Sequence, residues 1–246
     1  TTPGIRALGV SPIQAVGSTV PAILPGAISG TYRYSRAGLV NWRIGITCGL
    51  VGAATAALGA VASDSVNGHL LMVLTAGLLL VSGVSIFRSG LVRPDEVALR
   101  ADPVPADDLE IDLDVLADPP THTAVSFPRL ALIGAAAGFL AGFLGVGGGV
   151  VMVPAFTSVL KVPIKEAVAS SLVGVAIFSV PALISHGLLG HIDWAFAALL
   201  TVGVVPGAQV GSRVTLGSSD HVVRLLFGAF LVLVAFVYGV GEILAI

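Results

Sequence analysis

The sequence predicts an all-α integral membrane protein made of two inverted-topology repeats, each carrying a glycine-rich broken or re-entrant helix hairpin. Three observations lead there. Apolar residues make up 55% of the chain and charged residues 11%, against about 25% charged in ordinary soluble domains, and the mean hydropathy is +0.99. An uncharged run, Leu130–Leu160, is interrupted by Gly142-Phe-Leu-Gly145-Val-Gly147-Gly148-Gly149, with Pro154 beyond. The chain also repeats. Laying Leu8–Arg88 on Leu160–Val240 without gaps matches Ala15-Val16 with Ala167-Val168, Ser18 with Ser170, Gly38 with Gly190, Gly59 with Gly211 and His69 with His221. The only two tryptophans, Trp42 and Trp194, fall on each other.

A membrane helix needs about 20 mostly apolar residues, and the uncharged runs supply them in order. Ala7–Tyr32 holds the first span, starting near Pro12, a residue suited to a first helical turn. Ile44–Ser63 and His69–Phe87 hold the next two. The interrupted Leu130–Leu160 run follows, then Ala167–Ser185, Trp194–Ser212 and Leu225–Val240. Pro21, Pro25, Pro181 and Pro206 are expected to kink their helices. Residues 91–128 differ in kind: they carry nine of the 14 acidic residues, with several prolines. Such a stretch reads as a polar linker outside the membrane. The organisation expected is a first repeat over 1–90, the linker over 91–128 and a second repeat over 129–246. Extending the register leaves Leu130–Val151 without a partner in the first repeat, so an equivalent glycine-rich element is expected to precede Thr1.

A glycine costs about 1 kcal/mol in a helix relative to alanine, so three in a row read as a deliberate break. Irregular backbone at membrane depth is tolerated where it is buried in protein or lines a cavity. One reading is a substrate or ion site at an unwound helix. The other is close helix packing, for which small residues are suited.

Positive charge orients the chain, because cytoplasmic loops carry the excess of Lys and Arg. If the glycine-rich element enters and leaves on one side, every Lys and Arg except Arg6 falls on one face. A single crossing divides them far more evenly. The first arrangement makes the repeats inverted and the linker cytoplasmic. It places His186, His191 and Asp193 at the outer mouth, where histidines are more often interfacial than functional. Trp42 and Trp194 read as interface anchors. Cys48, the single cysteine, reads as a packing residue, so no disulfide framework is expected.

No catalytic constellation, cofactor motif or metal-ligand spacing stands out, and no basic run suits nucleic acid. Gly147-Gly148-Gly149 lacks the Lys-Ser/Thr of a phosphate loop. The uncharged spans hold no carboxylate to carry a coupling ion. Neutral polar groups remain. Ser18-Thr19 and Ser170-Ser171 match across the repeats; their hydroxyls either donate to an anion beside the break or bond to their own helix carbonyls. Backbone N–H groups at a helix start, helped by the helix dipole, also suit an anion. Gln209 either lines a pathway or bonds a neighbouring helix.

Taken together, Gly138-x3-Gly142-x2-Gly145-Val-Gly-Gly-Gly149-x4-Pro154, Lys165-x-Ala167-Val-Ala-Ser-Ser171, Gly190-x2-Asp193-Trp194 and Gly207-x3-Gly211 resemble the TauE/SafE sulfite exporter family. The resemblance covers the second repeat and the first from about Pro3. It implies a multi-pass carrier of the bacterial inner membrane that exports sulfite, sulfoacetate or a related sulfur-containing anion. On that reading Gly147, Gly148 and Gly149 supply backbone donors, and Ser18, Thr19, Ser170 and Ser171 supply hydroxyls. Arg33 and Arg213 raise the local anion concentration by long-range attraction. The rival expectations are an anion channel and a non-transporting membrane scaffold or sensor. Catalysis is not expected. The partners expected are a small anion and the lipid bilayer.

Overall fold

The computed structural model describes residues 12–91 and 126–243. The residues before Pro12 and most of the acidic linker lie outside them. The described residues form eight helices and no strand: α1 (Pro12–Arg36), α2 (Trp42–Asp64), α3 (Gly68–Leu91), α4 (Phe127–Leu144), α5 (Gly149–Ser158), α6 (Ile164–Leu188), α7 (Trp194–Gly217) and α8 (Asp220–Ile243). All-helical order follows from the solvent, because lipid offers backbone groups no hydrogen-bond partner and a helix satisfies its own.

Six of these helices, α2, α3, α4, α6, α7 and α8, are long and apolar enough to cross a membrane. At 25 residues α1 has the length, but it is more polar. Its polar side chains go to its neighbours: Ser18, Thr19 and Ser29 all take part in hydrogen bonds with other elements. Prolines 21, 25, 181 and 206 sit inside continuous helices.

Helix boundaries recur in the register read from the sequence. Trp42 of α2 falls on Trp194 of α7, and Gly68 of α3 on Asp220 of α8. One pair of ends agrees as well, Arg36 with Leu188. Turn chemistry repeats with them. Gly38 and Gly190 both take the left-handed conformation (φ 71° and 72°), and Asn41 and Asp193 both cap the helix that follows with their side-chain oxygens, the role such residues favour.

α4 lies along α2 through a stripe of small residues. A Cβ on Gly134 would press on the Cys48 carbonyl, one on Gly138 on the Gly52 carbonyl and one on Gly142 on the Ala56 carbonyl. Close backbone approach through every fourth residue is the usual device between membrane helices. Cys48 is fully buried in this contact and donates to the Leu130 carbonyl at 3.3 Å.

The helix ends gather at two faces. At one, the Asn41 amide donates to Glu166 (3.0 Å), Arg224 donates to Ser89 (3.2 Å) and Lys165 pairs with Asp220 (3.7 Å). Every lysine and arginine among the described residues lies in a connection at this face or within about a turn and a half of a helix end there. At the other, Ser18 meets Asp193, and Asp64 meets His191.

Candidate functional site

Two kinds of glycine act in the central stretch. The stripe at 134, 138 and 142 packs; the break lies beyond it. α4 closes at Gly145, whose φ of 64° is left-handed, and Gly147 repeats that conformation at 70°. Such angles cost a residue with a Cβ about 1–2 kcal/mol. The chain then reverses. A Cβ on Gly148 would sit 2.6 Å from the Ala137 carbonyl, two turns back down α4. The 18 residues of α4 rise about 27 Å and the ten of α5 return about 15 Å. The element is therefore a hairpin that starts and finishes at the lysine- and arginine-rich face. The break is centred on 145–148, slightly earlier than the three glycines and Pro154 suggested. Gly149 already opens α5, and Pro154 sits inside it, where it removes one backbone donor.

This turn leaves donors unpaired. Among the described residues, the N–H groups of Val146, Gly147, Gly148 and Gly149 have no hydrogen-bond acceptor, while Val150, Val151 and Met152 are already bonded into the turn and helix. Beside the turn lies a cavity of about 310 Å³, lined by Thr19 and Ile23 of α1, Leu79 of α3, Gly145, Val146 and Val150 of the hairpin, Val204 of α7 and Phe230 of α8, with further apolar neighbours. Leu79, Val204 and Phe230 lie near the midpoints of their helices, so the cavity is at mid-depth. Its volume is at the lower end for small-molecule sites. Thr19 contributes the one polar side chain among the lining residues.

The serine and threonine pairs divide their work. Ser18 and Ser170 are fully buried. The Ser18 hydroxyl oxygen accepts the Asp193 N–H (2.8 Å), and that of Ser170 accepts the Asn41 N–H (2.8 Å). The second members of the pairs face the break. Thr19 donates to the Val16 carbonyl (2.7 Å) and to the Gly145 carbonyl (2.9 Å). Ser171 donates to the Val168 carbonyl (2.9 Å), and its oxygen lies 3.9 Å from where a Cβ on Gly149 would be. Gln209 is held elsewhere: its side-chain nitrogen donates to the Ser29 hydroxyl (2.6 Å) and carbonyl (3.2 Å), joining α7 to α1. Thr19 thus meets the break at Gly145 and lines the cavity, Ser171 approaches it at Gly149 outside the cavity lining, and Ser18, Ser170 and Gln209 bond elsewhere. Gly145 is the residue that residue-level reasoning undervalued. Its signal was its place three residues past a four-residue glycine spacing, where packing gives way to turning.

A bundle of membrane-length helices around a broken hairpin, with a cavity at its tip, defines a multi-pass integral membrane protein. The sulfite exporter TauE/SafE family matches residues 1–238, and the chain belongs to that family of membrane transporters. It is 24% identical over 225 residues to the probable membrane transporter protein YunE of Bacillus subtilis, covering 92% of this chain and 80% of that one. It is 27% identical over 227 residues to a probable membrane transporter protein of Xylella fastidiosa, covering 92% and 79%. A shorter likeness, 29% identity over 170 residues, links 63% of this chain to 26% of the probable membrane transporter protein MamO of Paramagnetospirillum magneticum. No solved structure matches the chain.

Proposed function

We propose that this transporter exports small sulfur-containing anions, sulfite, sulfoacetate or a related sulfonate, across the inner membrane by alternating access. The observation that carries the reading is the mid-depth cavity lined by Gly145, Val146 and Val150, at a turn where the N–H groups of Val146 to Gly149 have no acceptor among the described residues. Unpaired donors at a helix start, with the positive end of the helix dipole behind them, favour negative charge. Thr19 and Ser171 flank this turn, and Gly147, Gly148 and Gly149 supply its backbone. Ser18, Ser170 and Gln209 act at one remove, by holding α1, α6 and α7 in place.

The cavity walls narrow the substrate. Burying a small dianion among aliphatic side chains with no cation beside it is costly. An organic sulfonate, with an apolar body and one charged end, suits these walls better than bare sulfite. The rocking elements are two inverted repeats, 1–90 and 129–246, joined by a cytoplasmic linker over 91–128. The matching helix boundaries and the reciprocal serine bonds support that division. The clustering of Lys and Arg at one face supports its orientation, and Arg33 and Arg213 there gather anions by long-range attraction.

A thermal-shift screen of the purified protein against sulfite, sulfoacetate, taurine and dicarboxylates tests the reading. A ligand of the folded state raises the midpoint by mass action. A sulfonate should do so and a dicarboxylate should not; a dicarboxylate response alone overturns the substrate class. An anion channel needs the same donors but gives flux linear in concentration, and a scaffold or sensor gives no flux at all.

A further inference from the structure

Away from the cavity, a chain of titratable groups runs in from the opposite face to the hairpin tip. Asp64, at the end of α2, has a side chain 55% exposed. Its Oδ1 lies 3.1 Å from Nε2 of His191, in the α6–α7 turn. Nδ1 of His191 lies 3.2 Å from Nδ1 of His186, and Nε2 of His186 lies 3.0 Å from the Gly142 carbonyl. His186 is fully buried and His191 nearly so. The interfacial role expected of His186 therefore does not hold: α4 and the α6–α7 turn close over it.

Counting protons settles what this chain of groups can hold. It contains three hydrogen bonds, and each needs one hydrogen. The Gly142 carbonyl can only accept, so Nε2 of His186 carries a hydrogen. The two Nδ1 atoms share one hydrogen between them, and a third lies between His191 and Asp64. Two neutral imidazoles supply two hydrogens. The third must be an added proton, held by the imidazole pair against the Asp64 carboxylate or by the carboxyl group itself. A second added proton on the rings would set two N–H groups against each other across the Nδ1 pair. The arrangement is complete with one added proton.

Its inner end is placed on the break. In an uninterrupted helix the Gly142 carbonyl would accept from the N–H of Val146, which the turn takes away. The His186 ring fills that vacancy at the end of α4. The cluster is also one-sided. In the repeat register His186, His191 and Asp64 correspond to Tyr34, Leu39 and Leu216, so the related end of the fold stands without it. Other charged groups nearby are already engaged or exposed. Asp193 caps α7 by accepting from the N–H groups of Ala195 and Phe196, and His69 lies at the exposed start of α3. α1 presents Gly17 backbone to the His191 carbonyl, and α4 presents the Gly142 carbonyl.

We infer that Asp64, His191 and His186 form a single-proton binding site that ties the end of α2 and the α6–α7 turn to the tip of the hairpin. Histidine is the side chain that ordinarily changes charge between about pH 5 and 8, so that is the range in which the proton is sought. When the proton leaves, two hydrogens remain for three bonds, and one link between these elements opens. Coupling of this proton to flux rests on the transport function proposed above; the site itself does not.

Histidine-selective 15N NMR on the full chain in nanodiscs tests it without any flux. His186→Gln and His191→Gln spectra assign the two resonances. Between about pH 8 and 5 the pair should take up one proton, in one step. Asp64→Asn, at a half-exposed position that keeps a hydrogen-bond acceptor, should move that step to lower pH. Tyr34→Phe, at the related position of the other half, should leave it in place. Uptake of two protons, no uptake, or an unchanged step in Asp64→Asn overturns the inference. The Asp64 variant carries the test even where a histidine variant fails to fold.

Discussion

Ser18 and Ser170 hold the same bond in opposite directions: Ser18 of α1 receives the N–H of Asp193, and Ser170 of α6 receives the N–H of Asn41, each at 2.8 Å. Asn41 and Asp193 occupy related positions, and each caps a helix. α1 and α6 therefore each clip a helix start across the bundle, that of α7 and that of α2. A reciprocal contact of this kind is what a two-fold relation produces. It ties the loop geometry of one half to the second turn of a helix in the other.

Replacing either serine should weaken the fold by similar amounts. Ser18→Ala and Ser170→Ala each remove the partner of a part-buried N–H, at about 0.5–1.5 kcal/mol. Thermal unfolding of the purified variants should show two comparable losses. A loss at one site alone would mean that the two clips are not equivalent. Since neither hydroxyl lines the cavity, the order of preference among anions should be unchanged.

The glycines should separate into three behaviours. Gly145→Ala places a Cβ at a left-handed position and against Val16, so it should cost stability and abolish transport together. Gly138→Ala presses on the Gly52 carbonyl and should cost about 1–3 kcal/mol by overpacking. Gly211→Ala meets nothing within 4 Å and should leave stability unchanged or slightly raised. Circular dichroism melts of the three variants check the order.

Thr19 should act on binding more than on folding. Thr19→Val keeps the shape of the cavity wall but removes the hydroxyl beside the Gly145 carbonyl. The variant should melt within about 1.5 kcal/mol of the parent, the ordinary worth of a hydrogen bond, while its thermal shift with the preferred sulfonate shrinks. Equal shifts in the two proteins would remove Thr19 from the site.

Gln209 should behave in the opposite way. Gln209→Leu breaks the link to Ser29 between α7 and α1. Since the amide does not line the cavity, the concentration giving half-maximal transport should hold while the turnover rate changes. A changed half-saturation with unchanged turnover would place Gln209 at the substrate.

Much of this architecture is legible in the chain, because lipid enforces it. Uncharged runs of membrane length become helices, and the coincidence of Trp42 with Trp194 is enough to set the register in which the helix boundaries recur. The hairpin was legible from its glycines, since Gly145 and Gly147 take left-handed angles that glycine adopts most readily. The two meanings of glycine were harder to separate. Gly138 and Gly145 look alike in one dimension, and only the carbonyl of Gly52 distinguishes a contact from a turn. Partners distant in sequence were not legible. The repeat register pairs Ser18 with Ser170 as equivalents, but not with the helix starts they clip. Nothing in the neighbourhood of Asp64 foretells His191 against it.

Counterflow in proteoliposomes tests the central claim most directly. Vesicles containing the purified protein are preloaded with unlabelled sulfoacetate, and uptake of labelled sulfoacetate is followed. The account predicts saturable uptake that is stimulated by the preloaded anion and lost in Gly145→Ala. Uptake that rises linearly with concentration, ignores the preloaded anion and persists in Gly145→Ala would contradict it.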